Sequence, residues 1–226
     1  MEKIKVIFVE PEQEINLGLS ARVLDNFNVK KMYLVNPKCA LGFSALMYAK
    51  HAKRLIQNAT IYKNLKEAIK DCDLVVGTSG LENKYREITF GMLSLKKFKS
   101  ELEKRKIRGK IALLFGRESI GLKEDEIKTC DIVVHIPTSK KYPVLNITNA
   151  LAIFLYELKN IKNKGMVPQL ATKKEREYIQ KLLAKKIQKI KNLKDREKIF
   201  HAMKSFFEKR FMTNIEAKGL IYILKY

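Results

Sequence analysis

Several features that mark other classes of protein are scarce in this sequence. Its 226 residues include only three cysteines, which lack both a CxxC pair and the Cys/His spacing of zinc ligands. No run of 18 or more apolar residues occurs, so no membrane span is expected. The N-terminal residues lead into a strand without the apolar region of a signal peptide. We therefore expect a cytoplasmic protein with reduced thiols, without a disulfide framework or a membrane partner.

Negative charge is also scarce. Lys and Arg number 46 against 24 Asp and Glu, so the formal net charge is +22. A charge of this size opposes compaction by self-repulsion, and a polyanion such as a nucleic acid is its usual partner. A general enrichment in lysine, as in proteins from hot habitats, is the alternative, but Glu rises with Lys in such proteins and does not do so here. The composition therefore favours a nucleic-acid partner.

The first 160 residues alternate short apolar runs with helical patterns. Runs at 5–9, 74–77, 110–115 and 131–137 are typical of buried strands. This alternation predicts an α/β fold, with a largely parallel sheet covered by helices on both faces, over residues 1–160. Residues 161–172, punctuated by Gly and Pro, resemble a linker. Residues 173–226 are expected to form a small basic helical extension, and 171–226 hold 16 Lys and Arg against 6 Asp and Glu.

The first of three informative segments is Asn-Leu-Gly-Leu-Ser-Ala-Arg at 16–22. Asparagine is favoured at the start of helices, so Asn16 alone indicates no more than a helix N-cap. The segment, however, directly follows the first strand and the polar loop 10–14. At that position we expect the helix N-terminus and Arg22 to meet an anionic group.

The second segment is Leu-Phe-Gly-Arg-Glu-Ser-Ile-Gly-Leu at 114–122. It follows a strand, and Gly116 and Gly121 enclose the charged pair Arg117 and Glu118 in a tight six-residue loop. Glycine permits a positive φ and lets a ligand approach the backbone; a structural turn, with Arg117 in an intramolecular ion pair, is the alternative. The segment matches neither GxGxxG nor GxxxxGK[ST], which disfavours a dinucleotide site and a P-loop.

The third segment is Leu-Asn-Ile-Thr-Asn-Ala at 145–150, which follows a strand and a polar loop and opens a helix predicted over 148–158. Asn146 or Thr148 suits the N-cap of that helix. This structural role is compatible with a functional one.

In order and spacing, these segments resemble the three motifs of the SpoU/TrmH family of SPOUT RNA methyltransferases. The shared pattern is NxGxxxR, then FGxExxGL, then a strand ending in Ile-Pro, then Leu-Asn before a helix, and it covers roughly residues 3–160. The Phe-Gly-Arg-Glu form, the Val-Gly-Thr-Ser-Gly segment at 76–80 and the helical extension are most similar to the TrmJ-like tRNA methyltransferases of this family.

The resemblance implies methyl transfer from S-adenosylmethionine to a ribose 2′-OH of RNA, with the anticodon loop of tRNA as the expected substrate. It also implies a homodimer, no metal, and a C-terminal trefoil knot in the α/β domain. By carry-over onto matching positions, the cofactor-binding residues are Thr78, Ser79, Gly80, Phe115, Gly116, Glu118, Gly121, Ile136, Pro137, Val144, Leu145 and Asn146.

The same carry-over assigns catalytic roles to Arg22, Asn16 and Glu118, and RNA contacts to Arg22, Arg86, Arg117, Lys140 and Lys141. In the family, the counterpart of Arg22 accepts the proton with help from an RNA phosphate. Because a guanidinium has no acceptor, the alternative is that Arg22 clamps the phosphate and stabilises the developing alkoxide. Asn16 is expected to position Arg22 and the RNA.

One residue departs from the family pattern. Many relatives have serine before the Leu-Asn of the third segment, where this chain has Val144. Valine lacks the hydrogen-bonding hydroxyl, so either the protein manages without it, with Tyr142 or Thr148 in its place, or its activity is reduced. Because the other motifs are intact, we favour the first. Two alternatives stay open: a ribosomal RNA methyltransferase, and a non-catalytic RNA-binding protein of the same fold.

Overall fold

Seven strands form one sheet in the computed structural model, which describes residues 3–81, 92–104, 109–161, 170–190, 193–208 and 212–225. The strands are β1 (Ile4–Val9), β2 (Tyr33–Val35), β3 (Thr60–Tyr62), β4 (Leu74–Ser79), β5 (Leu93–Ser94), β6 (Ile111–Phe115) and β7 (Ile132–His135). The helices around the sheet are α1 (Glu14–Asn26), α2 (Phe43–Ala49), α3 (Lys53–Gln57), α4 (Leu65–Ala68), α5 (Leu95–Lys104), α6 (Glu124–Ile127) and α7 (Ile147–Lys159), with a 3₁₀ turn at Lys50–Ala52.

Every strand pair in the described residues is parallel, and the strand order is β3-β2-β1-β6-β4-β7-β5. Leu114 on β6 marks the centre of the sheet, with Ile7 of β1 and Gly77 of β4 as its two neighbours. From β1 the chain first builds outward through β2 and β3, and later returns to add β6 on the other side of β1. Open parallel sheets form a crevice where the direction of winding changes, at the carboxyl ends of the strands.

Two apolar layers confirm the predicted α/β fold with helices on both faces. Successive strand residues point to opposite faces of a sheet. Val6 and Phe8 accordingly pack in the layer beneath α1, α2, α3, α5 and α7. Ile7 and Val9 pack in the opposite layer, beneath α4 and α6.

The sequence did not predict β5 and α5. The helix buries Leu95, Phe98 and Leu102, which recur at helical spacing. Four lysines and two glutamates surround them in that ten-residue helix, so the polar residues mask a narrow apolar stripe. The predicted end of β4 also needs correction, because Thr78 and Ser79 continue the strand and pair with β7.

Three further helices follow, α8 (Lys173–Lys189), α9 (Arg196–Glu208) and α10 (Asn214–Lys225). Helices α8 and α10 share a small core of Ala171, Ile179, Met212 and Ala217. Most of the predicted linker, residues 162–169, lies outside the described residues. Among those described, no helix combines the length and apolar character that a membrane crossing requires.

Candidate active site

A cleft of about 500 Å³ opens at the carboxyl edge of the sheet, a size typical of sites for small ligands. Four segments line it: the start of α1, the end of β4 with the residues that follow it (78–81, here called the β4 loop), the glycine loop (residues 116–121) and the β7 loop (residues 136–146). All three motif segments therefore contribute to one cavity, as their positions after parallel strands predict.

The glycine loop is closed by its own backbone. The Arg117 amide donates to the Gly121 carbonyl at 3.2 Å, and the Gly121 amide donates to the Arg117 carbonyl at 2.8 Å. Gly121 has a φ of +72°, which confirms the positive φ expected there. A Cβ on Gly116 would lie 2.2 Å from the backbone of Gly121 and Leu122, so only glycine fits at the neck of this loop.

The β4 and β7 loops approach each other across the cleft. A Cβ on Gly80 would lie 3.3 Å from the Cα of Val144, so the two backbones are close. The Thr78 hydroxyl donates to the Leu114 carbonyl at 2.8 Å, which ties the end of β4 to β6. The Thr138 hydroxyl donates to the Pro143 carbonyl at 2.7 Å and closes the β7 loop.

One chain of hydrogen bonds joins the three motif segments. The buried Asn16 amide donates to Glu118 Oε1 and to Gln13 Oε1, each at 3.1 Å. Its carbonyl oxygen accepts from the Asn146 amide, also at 3.1 Å. Both amide hydrogens and the oxygen of Asn16 are thus engaged, which fixes its orientation. The proposed N-cap role of Asn16 is wrong, because α1 begins two residues earlier with Gln13 as its N-cap.

A second set of contacts latches the β1 loop (residues 10–13) onto the glycine loop. The Glu12 amide donates to Glu118 Oε2 at 2.9 Å. In return, the Ser119 amide and hydroxyl donate to the Glu12 carboxylate at 3.0 and 2.8 Å. The carboxylate of Glu118 is therefore held near the start of α1 by the Glu12 amide and the Asn16 side chain, whereas Arg22 does not contact it.

Arg117 forms the intramolecular ion pair that the sequence left as an alternative. Its guanidinium donates to Glu126 at 2.8 and 3.0 Å and to Glu10 at 2.8 Å, and its side chain is only 4% exposed. The Glu126 hydrogen bonds raise the pKa of Arg117 further. Burial would raise the pKa of Glu10, but hydrogen bonds from Arg117 and Asn36 outweigh it and lower that pKa to about 2.

Comparison with known proteins identifies the family of this chain. Residues 3–156 match the SpoU rRNA Methylase family. This chain belongs to the SpoU methylase family. Two relatives are named tRNA (cytidine-2′-O-)-methyltransferase TrmJ. The one from Methanocaldococcus jannaschii is 36% identical over 180 residues, 78% of this chain and 77% of the relative. The one from Sulfolobus acidocaldarius is 38% identical over 162 residues, 71% of this chain and 67% of the relative.

A solved structure shares the same fold. TrmJ from Z. mobilis ZM4 has a TM-score of 0.70 to this SpoU-family chain, with 23% sequence identity, and the similarity covers 98% of this chain and 97% of that one. The similarity thus extends over nearly the whole length of both chains.

The structure brings together most of the predicted site residues. The cleft is lined by Asn16, Thr78, Ser79, Gly80, Phe115, Gly116, Arg117, Glu118, Gly121, Ile136, Val144, Leu145 and Asn146. Pro137 is not part of the lining and is exposed beside it. Asn146 also caps α7, because its side-chain oxygen accepts from the Thr148 amide at 2.8 Å.

The remaining predicted residues lie elsewhere. Arg22 is exposed, does not line the cleft, and occupies a different face of α1 from Asn16. Lys140 and Lys141 are exposed on the β7 loop. Tyr142, on the same loop, does line the cleft and is 82% exposed. Arg86 lies outside the described residues.

Sequence reasoning missed the roles of Glu10, Glu12 and Glu126. The first two belong to a polar loop that the sequence shows clearly, but their partners lie more than 100 residues away. Nothing local in the sequence indicates that Arg117 needs two carboxylates. Charge complementarity between the acidic β1 loop and Arg117 was the available signal.

Proposed function

We propose that this protein is an S-adenosylmethionine-dependent methyltransferase that methylates a ribose 2′-OH of tRNA. The observation that carries the proposal is the hydrogen-bonded chain from Glu118 through Asn16 to Asn146, which unites all three family motifs on the wall of one cleft. Membership of the SpoU family supports methyl transfer. The two archaeal relatives, named as tRNA 2′-O-methyltransferases, support the substrate.

The cleft residues fit S-adenosylmethionine. The volume suits a ligand of that size, and the lining combines apolar side chains with backbone groups of three loops. Gly116 and Gly80 have no room for a side chain, because an added Cβ would lie 2.2 Å from the Gly121 backbone and 3.3 Å from Val144. Residues 78–80, 115–121 and 136–146 would hold the cofactor, which supplies an activated methyl group when bound. In the described residues no His, Cys, Asp and Glu side chains converge as a metal site would require.

The chain's own contribution is to orient the hydroxyl that attacks the methyl group. Glu118 acts as a fixed acceptor, because each of its carboxylate oxygens already receives one hydrogen bond. Asn16 in turn accepts a hydrogen bond from Asn146, the N-cap of α7, so the positions of Glu118 and of the start of α7 are linked. The ionisable side chains among the described lining residues are Arg117, Glu118 and Tyr142, and Arg117 is buried in its ion pairs.

Arg22 completes the site from a second copy of the chain. On its own protomer it lies away from the cleft, on an exposed face of α1 that also carries Ile15, 43% exposed. Helix α7, which packs against α1, adds the exposed Ile153 and Tyr156 to this region. An apolar face that contains an arginine suits a homodimer in which Arg22 reaches the partner's cleft. There the guanidinium clamps an RNA phosphate and stabilises the developing alkoxide.

The same proposal includes the finer organisation of the chain. Residues 1–160 form the catalytic domain with a trefoil knot around the β7 loop, and 173–226 form a helical extension after a linker at 161–172. Lys140 and Lys141, beside the cleft, contact the RNA together with Arg22 and Arg86. Arg117 supports the glycine loop rather than the RNA. A tRNA substrate agrees with the cytoplasmic location expected from the sequence.

The direct test incubates the protein with tritiated S-adenosylmethionine and unmodified tRNA transcripts, and counts label retained in the RNA. Transfer to a ribose transcript, but not to the same sequence with 2′-deoxyribose throughout, is the expected result. A ribosomal RNA fragment serves as the competing substrate. Tight tRNA binding with no transfer would instead support a binding-only protein, with Val144 as the suspect residue.

Replacing the arginine tests its catalytic role. We expect Arg22→Ala to lower methyl transfer below detection and to leave S-adenosylmethionine affinity nearly unchanged, because Arg22 lies outside its own cleft. Arg54→Ala, which removes an exposed arginine from α3, is the matched control and should stay active. A fully active Arg22→Ala enzyme contradicts the assignment.

A further inference from the structure

Helix α8 carries a stripe of basic residues that the cleft does not use. Lys174, Tyr178, Lys181, Lys185 and Lys189 follow one another at intervals of four, three, four and four residues, and all five are exposed. With 3.6 residues per turn, these intervals place them along one face of the helix. We call this set the α8 stripe.

The other side of α8 is anchored to the protein. Ile179, Leu183 and Ile187 are buried. The Arg176 guanidinium pairs with Asp131 at 3.2 Å and donates to the backbone carbonyl of Asp73. The α8 stripe is therefore held on a packed helix and turned toward solvent. In the described part of the chain, no carboxylate pairs with its four ammonium groups.

An aromatic ring lies within this stripe. Tyr178 is 40% exposed, and the ammonium of Lys225, at the end of α10, lies 5.9 Å from its ring centre. A second helix thus brings another positive charge to the same place. Lysines at regular intervals suit successive phosphates, and a tyrosine among them offers a face on which a base can stack.

We propose that the α8 stripe binds the sugar-phosphate backbone of the substrate RNA, remote from the reacting ribose. The choice of RNA as the ligand rests on the proposed function. An acidic protein is a poorer fit, because the buried centres of protein interfaces are depleted in lysine.

The stripe and the cleft lie at opposite ends of the sheet within one protomer. Arg176 attaches α8 beside Asp73 and Asp131, which directly precede β4 and β7, whereas the cleft lies at the other ends of these strands. Strand β4 has six residues, so the contacts of Arg176 that dock α8 lie about 20 Å from the cleft. The α8 stripe therefore contributes to RNA affinity and not to the chemical step.

The test compares two full-length triple variants that lose the same charge. The first carries Lys181→Ala, Lys185→Ala and Lys189→Ala. The control carries Lys63→Ala, Lys66→Ala and Lys70→Ala, which removes three exposed lysines in and around α4. Binding to an unmodified tRNA transcript is measured by fluorescence anisotropy at several salt concentrations, and methyl transfer is measured in parallel.

In the stripe variant, we expect the slope of log affinity against log salt to become shallower by about 2–3, since each lost phosphate contact contributes about 1. The KM for tRNA should rise about 10- to 100-fold with kcat within about twofold, because the contacts are uniform in ground and transition states. A stripe variant with arginine at all three positions should retain the original slope, which separates charge from folding. A slope and a KM that change no more than in the control overturn the proposal.

Two outcomes separate the stripe from the proposed function. If the unaltered protein methylates no RNA, the proposed function fails, whereas the salt slope still decides whether the stripe binds RNA. If poly-glutamate displaces tRNA at equal charge concentration from the unaltered protein but not from the stripe variant, the stripe belongs to an acidic protein partner and the proposal is wrong.

Discussion

The two edges of the sheet formed by the carboxyl and amino ends of its strands are each fixed by an arginine, but the two arginines hold different kinds of structure. Arg117, at the carboxyl edge, bridges the carboxylates of Glu10 and Glu126 and so shapes a loop of the cleft. Arg176, at the opposite edge, joins Asp131 and two backbone carbonyls, those of Asp73 and Ala171, and so docks a helix.

The difference shows how this chain divides its charge. At the cleft, the charged side chains of Arg117 and Glu10 form an ion pair with each other, and the Glu118 carboxylate accepts hydrogen bonds that position loops. At the far edge, the lysines of the α8 stripe are exposed to solvent. The charged residues that shape the cleft and the charged residues that would attract a polyanion therefore lie in separate parts of the molecule. Variants at each edge should affect one property and spare the other.

Replacing the two arginines separately gives the largest expected contrast. Arg117→Ala should lower the free energy of unfolding by about 3–5 kcal/mol, because it leaves the buried Glu126 without its ion-pair partner and removes one of the partners of Glu10. It should also weaken S-adenosylmethionine binding at least tenfold, since the Arg117 side chain holds the carbonyl of Gly121 at 3.2 Å. Urea unfolding and titration calorimetry measure the two effects.

Arg176→Ala is the matched variant at the opposite edge. It should destabilise the protein through the loss of its contacts with Asp131 and Asp73, but S-adenosylmethionine affinity should stay within about twofold, because the cleft lies at the other ends of β4 and β7. Equal losses of cofactor affinity in the two variants would show that the edges are not independent.

A change of one atom in Asn16 tests the polar chain within the cleft. Asn16→Asp places a second carboxylate 3.1 Å from Glu118 and removes the donor of that hydrogen bond. Like-charge repulsion should displace the glycine loop, and we expect kcat to fall about 100-fold, a loss of about 2.7 kcal/mol in transition-state stabilisation.

Asn26→Asp makes the same chemical change at an exposed position at the end of α1. Its kcat in the tritium assay should match that of the unaltered protein. If Asn16→Asp were equally active, the hydrogen-bonded chain would have no part in catalysis, and the comparison between the edges would rest on Arg117 alone.

Particular residues show which structural features could be predicted from the sequence. The strands at 5–9 and 110–115 were predicted from unbroken apolar runs, and the positive φ of Gly121 from the turn chemistry of its loop. These features depend on neighbours in the sequence. The helix α5 escaped prediction because only three of its ten residues are buried and the others are mostly charged.

The contacts that shape the cleft could not be predicted in the same way. Asn16 reaches Glu118 and Asn146, which are 102 and 130 residues distant. Their proximity follows from the strand order, in which β6 joins β1 after the chain has built four other strands. The motif resemblance indicated that these residues share a site, whereas the donors and acceptors between them required the folded chain.

The smallest of these effects is the pH dependence of stability, which tests the ion pair between Glu10 and Arg117. The pKa of Glu10 is lowered from 4.5 to about 2, so its contribution to stability is complete above pH 4.5 and is lost as the pH falls toward 2. That shift corresponds to about 3 kcal/mol, which partial solvent exposure reduces to about 2 kcal/mol. The free energy of unfolding of Glu10→Gln should therefore lie about 2 kcal/mol below that of the unaltered protein at pH 7, with the gap closing between pH 4.5 and 2 in urea titrations.

Glu124→Gln on the adjacent helix separates this effect from general acid sensitivity. The Glu124 carboxylate is 62% exposed and pairs only with Lys128 among the described residues, so its replacement should cost less than about 1 kcal/mol at any pH. A gap for Glu10→Gln that stays constant down to pH 2 would mean that Arg117 gains nothing from the charge of Glu10. Glu126 alone would then hold the guanidinium, and the cleft edge would depend on one ion pair, as the opposite edge does with Arg176 and Asp131.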